Sequence, residues 1–106
     1  MENNFDTIVA IATPISMGAI GIIRISGDMS FDIASQIFSG SIQNRKICYG
    51  FIKQENKILD EVILLPFKAP KSYTGEDVIE IQTHGNYIIL NSILRLIISK
   101  GARLAQ

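Results

Sequence analysis

The sequence predicts a two-layer α+β domain, a mixed or antiparallel sheet with two helices. Three observations predict it. Short apolar runs dense in β-branched isoleucine recur along the chain, and branching at Cβ favours strands. Only two segments place apolar residues at helical spacing. The strand-like runs are mostly consecutive, with two helices among them, which suggests a two-layer α+β arrangement.

The elements follow in the order ββαβββα, with a further strand beginning at the end. Thr7 to Ala12 is a strand-length apolar run without alternation, expected to be covered on both faces, and Thr13-Pro14 ends it. Ile15 to Gly18 reads as a loop, and Ala19 to Ser26 as a second strand closed by Gly27. Asp28 is the expected N-cap of a helix from Met29 to Phe38, since its carboxylate can accept first-turn amides. Phe31, Ala34, Ile37 and Phe38 would face the core, with Ile33 at the margin, and Ser39-Gly40-Ser41 stops the helix.

Ile47 to Lys53 and Ile58 to Phe67 read as strands of a hairpin joined by Gln54-Glu55-Asn56-Lys57. Ala69 to Gly75 is a loop, and Asp77 to Thr83 a strand. A second helix runs from Tyr87 to Lys100, with Leu90, Ile93, Leu94 and Ile97 inward. Asn86 caps its start, and Gly101 takes the position after its end. Ala102 to Gln106 starts another strand.

The 106 residues suit one domain, 1–106, large enough for one core. Ten basic and ten acidic residues give zero net charge, and Arg45-Lys46 is the only adjacent basic pair. A direct grip on nucleic acid needs a basic patch, so this domain is not expected to hold nucleic acid by itself. A single cysteine excludes an internal disulfide and suits a reducing cytoplasm. Glu2, Asn3 and Asn4 stand where a signal peptide would be basic, and no apolar run nears the ~20 residues of a membrane helix. The GxxxxGK[ST], GxGxxG and HExxH motifs are all absent from the chain.

Arg24, inside Ile22-Ile23-Arg24-Ile25, and Glu80, inside Val78-Ile79-Glu80-Ile81-Gln82, are charges in apolar strands, where burial without a partner is costly. They fit two walls of a polar pocket, a guanidinium for an anion and a carboxylate for N–H donors. They fit a plain cross-strand salt bridge equally well, and Arg24 also fits an Arg pointing to solvent. Ser72 to Asp77 is dense in hydrogen-bonding groups and suits either a site-lining loop or an ordinary turn. His84, the only histidine, is read as a structural residue bonded to backbone at a helix start, with general-base chemistry as the other reading. Cys48 reads as a small core hydrophobe.

Three stretches resemble the N-terminal domain of the MnmE (TrmE) family of tRNA-modification GTPases. They are Asp6-Thr-Ile-Val-Ala-Ile-Ala-Thr-Pro14 with Gly18-Ala-Ile-Gly-Ile-Ile-Arg-Ile-Ser-Gly27, then Ser72-Tyr-Thr-Gly-Glu-Asp-Val-Ile-Glu-Ile81 with His84-Gly85, and Gly101-Ala-Arg-Leu-Ala105. The resemblance implies a fold similar to the folate-binding domain of aminomethyltransferases. It implies binding of a 5-formyl- or 5,10-methylene-tetrahydrofolate through Arg24 and Glu80, no catalytic residue in this segment, and a constitutive homodimer. It also implies a parent protein that binds GTP, Mg and K elsewhere, works with a flavoprotein of the MnmG type, and modifies the wobble uridine of tRNA in the cytoplasm. Under this reading the chain is truncated on its C-terminal side, before the family's next folate contact, a lysine. Ser16 and Asn86 stand where the family usually has glycine. The alternative reading is a stand-alone one-carbon transferase of the aminomethyltransferase type, with Glu80 or His84 acting directly.

Overall fold

The computed structural model describes residues 6–12, 20–70 and 75–105. The expected loop at 15–18 and residues 72–74 of the 72–77 segment lie outside them. Six strands form one sheet in the order β3-β4-β5-β2-β1-β6. They are β1 (Ile8–Ile11), β2 (Ile20–Ser26), β3 (Cys48–Gln54), β4 (Lys57–Phe67), β5 (Val78–His84) and β6 (Arg103–Leu104). Neighbours pair antiparallel except β1 and β6, which run parallel, so the sheet is mixed. Helices α1 (Ser30–Ile37) and α2 (Tyr87–Ser99) complete the α+β fold.

Both helices pack on one face. Strand residues point alternately to the two sides, and the buried set Val9, Ile23, Ile25, Val62, Leu64, Ile79 and Ile81 shares the face that meets Ile33, Ile37, Leu90, Ile93 and Ile97. α2 approaches closely because Gly21 has no side chain: a Cβ there would lie 2.7 Å from Leu90 Cδ2. Burying side chains of this size contributes roughly 1.5–3 kcal/mol each, which makes this layer the main source of stability.

The helix ends depart in part from expectation. Asp28 does not cap α1. Met29 takes the cap position without a side-chain bond, and its amide donates to Thr7 Oγ1 at 3.0 Å. A tertiary bond from Thr7, the residue just before β1, thus replaces the local one. Ile33 lies at the centre of the buried face of α1 and the half-buried Phe31 at its margin, the reverse of the spacing argument. On α2, Leu96 is buried where Leu94 was expected, and Leu94 packs at the edge. The other end of the reading holds: Asn86 Oδ1 accepts the amides of Ile88 and Ile89 at 2.7 and 3.2 Å.

The hairpin turns at Glu55-Asn56, with Glu55 at φ 57. The outer edge of β3 is partly covered, since Ser39 exchanges bonds of 2.9 Å with the backbone of Phe51 through its own amide and its hydroxyl. That contact removes two open positions from an edge that could otherwise pair with another chain. Cys48 is buried in the core, as expected. β1 falls short of full cover: Val9 is buried, but Ile8, Ala10 and Ile11 are half-buried.

Two substitutions probe these joints. Gly27 has φ +136 and a Cβ there would lie 2.7 Å from Thr7 Cα, so Gly27→Ala is strained twice over. Urea unfolding should show a loss of roughly 2–3 kcal/mol. Asn86→Ala should cost about 1 kcal/mol, the usual effect of deleting an N-cap.

Candidate ligand site on the open face of the sheet

Alternation leaves a second sheet face that neither helix touches. Its residues on β2 are Ile20, Ile22, Arg24 and Ser26, and on β5 they are Val78, Glu80, Gln82 and His84. β4 contributes Glu61, Ile63, Leu65 and Phe67, and β3 contributes Tyr49 and Phe51. Apolar residues here remain open, Ile20 at 59% and Tyr49 at 71% exposure.

At the middle of this face β2 and β5 pair so that Arg24 stands directly opposite Glu80. Arg24 Nη2 donates to Glu80 Oε1 at 3.1 Å. The partners differ in burial, with side-chain exposures of 37% for Arg24 and 8% for Glu80. The two residues singled out in the sequence are therefore brought together, on one side of the sheet, by two central strands. A polar pair lies beside them, where Ser26 Oγ donates to Glu76 Oε1 at 2.9 Å.

The pair bonds across the strands, and the neighbouring cavity opens to one side of it. That depression, about 340 Å³, is lined by Ile20, Tyr49, Glu61, Ile63, Gln82 and His84 among others. Gln82, Glu61 and Asp60 do not stand out in the sequence. The signal was present as polarity at alternate positions, Glu80, Gln82 and His84, which share one face of β5. His84 is not bonded to backbone through its ring as expected. The ring meets the carboxylate of Asp60, Nδ1 to Oδ1 at 2.7 Å, and the ring is 68% exposed.

No group of three or more His, Cys, Asp or Glu residues among those described is placed to hold a metal ion. Among the same residues, no helix is long and apolar enough to cross a membrane.

Fold and site together define a two-layer α+β domain with a charged pair set in one open face of its sheet. Residues 7–106 match the family described as GTP-binding protein TrmE N-terminus, and the chain belongs to that family. It is 47% identical over 110 residues to the tRNA modification GTPase MnmE of Streptococcus thermophilus (strain CNRZ 1066). Identity is 46% over 110 residues to the protein of that name from Cytophaga hutchinsonii. It is 52% over 112 residues to that of Streptococcus agalactiae serotype III (strain NEM316). Each comparison covers 100% of this chain and 24% of the relative, so the chain spans about a quarter of their length.

An ion pair with one buried member is an expensive way to build a sheet. Arg24→Leu leaves the Glu80 carboxylate without this partner and should lower stability by roughly 2 kcal/mol, while Arg24→Leu with Glu80→Leu should return most of it. Equilibrium urea unfolding of the single and double variants checks the order. A double variant no more stable than the single would mean that the pair is itself a net stabilising element.

Proposed function

We propose that this chain is the folate-binding and dimerising module of a tRNA-modification GTPase, with a 5-formyl- or 5,10-methylene-tetrahydrofolate bound on the open sheet face by Arg24 and Glu80. The observation that carries the reading is the Arg24–Glu80 pair, a buried carboxylate and a half-exposed guanidinium on one face of the two central strands. Family membership and the name of the relatives supply the context.

The residues fit such a ligand. A carboxylate accepts the N–H donors of an amino-pyrimidinone edge two at a time, and a guanidinium donates to a carbonyl or carboxylate. In the present arrangement each partly satisfies the other through one bond of 3.1 Å. A ligand edge carrying both donors and acceptors could replace that one bond with several charge-assisted ones. Half-buried Ile22, Ile63 and Leu65 on the same face offer a flat apolar surface for a ring. When bound, the folate would supply the one-carbon unit.

Other parts of the reading follow from the family. The parent protein would bind GTP with Mg and K outside these residues, act with an MnmG-type flavoprotein on the tRNA wobble uridine, and work in the cytoplasm. The module would form the homodimer and carry no catalytic residue of its own.

Calorimetric titration with 5-formyltetrahydrofolate tests the core of the proposal. The chain should bind it, and Arg24→Ala and Glu80→Ala should each weaken binding by about 10- to 100-fold, the usual effect of removing a charged hydrogen-bond partner. Absence of binding, or affinity unchanged in both variants, would reject it. Turnover of the folate by the chain would favour a one-carbon transferase instead. Light scattering at high concentration should give twice the monomer mass, and a clean monomer would remove the dimer.

A further inference from the structure

His84, at the end of the open-face row on β5, forms a second ionisable pair with Asp60, which alternation places on the helix side of β4 opposite Ile52. Asp60 is buried, with a side-chain exposure of 7%. Its carboxylate holds His84 twice: Oδ2 accepts the His84 backbone amide at 3.0 Å, and Oδ1 lies 2.7 Å from Nδ1 of the ring. An ionised carboxylate can only accept, so Nδ1 carries a proton and a neutral ring presents Nε2 as an acceptor. No described residue bonds to Nε2. A histidine that merely fills or ties the core would have its ring buried, whereas here the anchor is buried and the ring is open.

The position of the ring is equally specific. Glu80, Gln82 and His84 alternate along one face of β5, so His84 lies about 13 Å from Glu80 along the strand. Beside Gln82 and His84 opens the depression of about 340 Å³, with Ile20, Ile63 and Tyr49 as apolar walls. A ligand held at Arg24 and Glu80 and extending along β5 would therefore pass Gln82 and reach His84 between the apolar walls of Ile20, Ile63 and Tyr49.

We propose that His84 is the second polar contact of this ligand site, with Nε2 accepting an N–H or O–H from a ring-bearing ligand and Asp60 acting as the positioning residue that fixes tautomer and orientation. The proposal rests on the folate reading above and adds a contact to it. A neutral acceptor there selects ligands that carry a donor at that end. Glu61, on the rim of the same depression, works in the same direction by disfavouring a negatively charged group.

The chain has one histidine, so ¹⁵N-labelled protein yields a single imidazole in the spectrum. On titration with 5-formyltetrahydrofolate, the Nε2 resonance should move with the binding curve while Nδ1 keeps its protonated position. Asp60→Asn should weaken binding by about tenfold, because an amide N–H facing Nδ1 favours the other tautomer and turns Nε2 into a donor. The same spectrum reports that switch directly. Nε2 unmoved at saturating ligand, with Arg24→Ala still weakening binding, overturns the role of His84 and leaves the folate reading in place. No binding by the wild-type chain overturns both. Should Asp60→Asn fail to fold, the wild-type titration decides alone.

Discussion

The in-register pairing of β2 with β5 is the constraint on which the rest depends. Seven residue pairs align, from Ile20 opposite His84 to Ser26 opposite Val78. Because side chains alternate, the register that buries Ile23, Ile25, Ile79 and Ile81 under the helices also places Arg24 beside Glu80 on the far face. A slip of one residue would carry Arg24 into the helix-facing core, where nothing compensates a charge. The register of the site is therefore held by the core, and it needs no separate stabilisation of its own.

Much of this was legible in the chain because period-two and period-3.6 patterns are local. All six strand positions, both helices, the cap at Asn86 and the shared side of Arg24, Ile22 and Ser26 follow from neighbours in sequence. What stayed hidden depends on distant partners. Asp28 satisfies the local rule for a cap, yet Thr7, remote in sequence, takes the amide at the start of α1. Leu94 and Leu96 both fit a helical stripe, and only the position of the sheet decides that Leu96 goes inside. The pairing of His84 with Asp60 spans 24 residues and two strands, so no window on the sequence joins them. Arg24 and Glu80, 56 residues apart, could be suspected only because each was a misfit in its own strand.

The two faces of the sheet are built to different standards. The helix side is continuous and apolar, closed by Gly21 letting Leu90 approach and by Phe38 packing under β3. The other side mixes exposed Ile20 and Tyr49 with charges and amides in a row along β5. A surface serving solubility alone would present polar groups at most of these positions, and one serving only as core would present none. Apolar floor with polar groups at intervals is the usual make-up of a ligand surface.

The two acid–base pairs that reach that surface, Arg24–Glu80 and His84–Asp60, share one design. Glu80 is far more buried than Arg24, and Asp60 far more buried than His84. In each, a carboxylate withdrawn from water gives up hydration, which is costly in itself, and the nitrogen-bearing partner is the more exposed member. For stability alone, a buried pair is often matched or bettered by apolar residues in the same places, because desolvating two charges can cost more than their attraction returns. Burying only the acid instead fixes the direction of the base, since a hydrated carboxylate would be free to follow its partner. A guanidinium and an imidazole held this way, on one strand pair and one face, are oriented before any ligand arrives, and such preorganisation lowers the entropy that binding must offset.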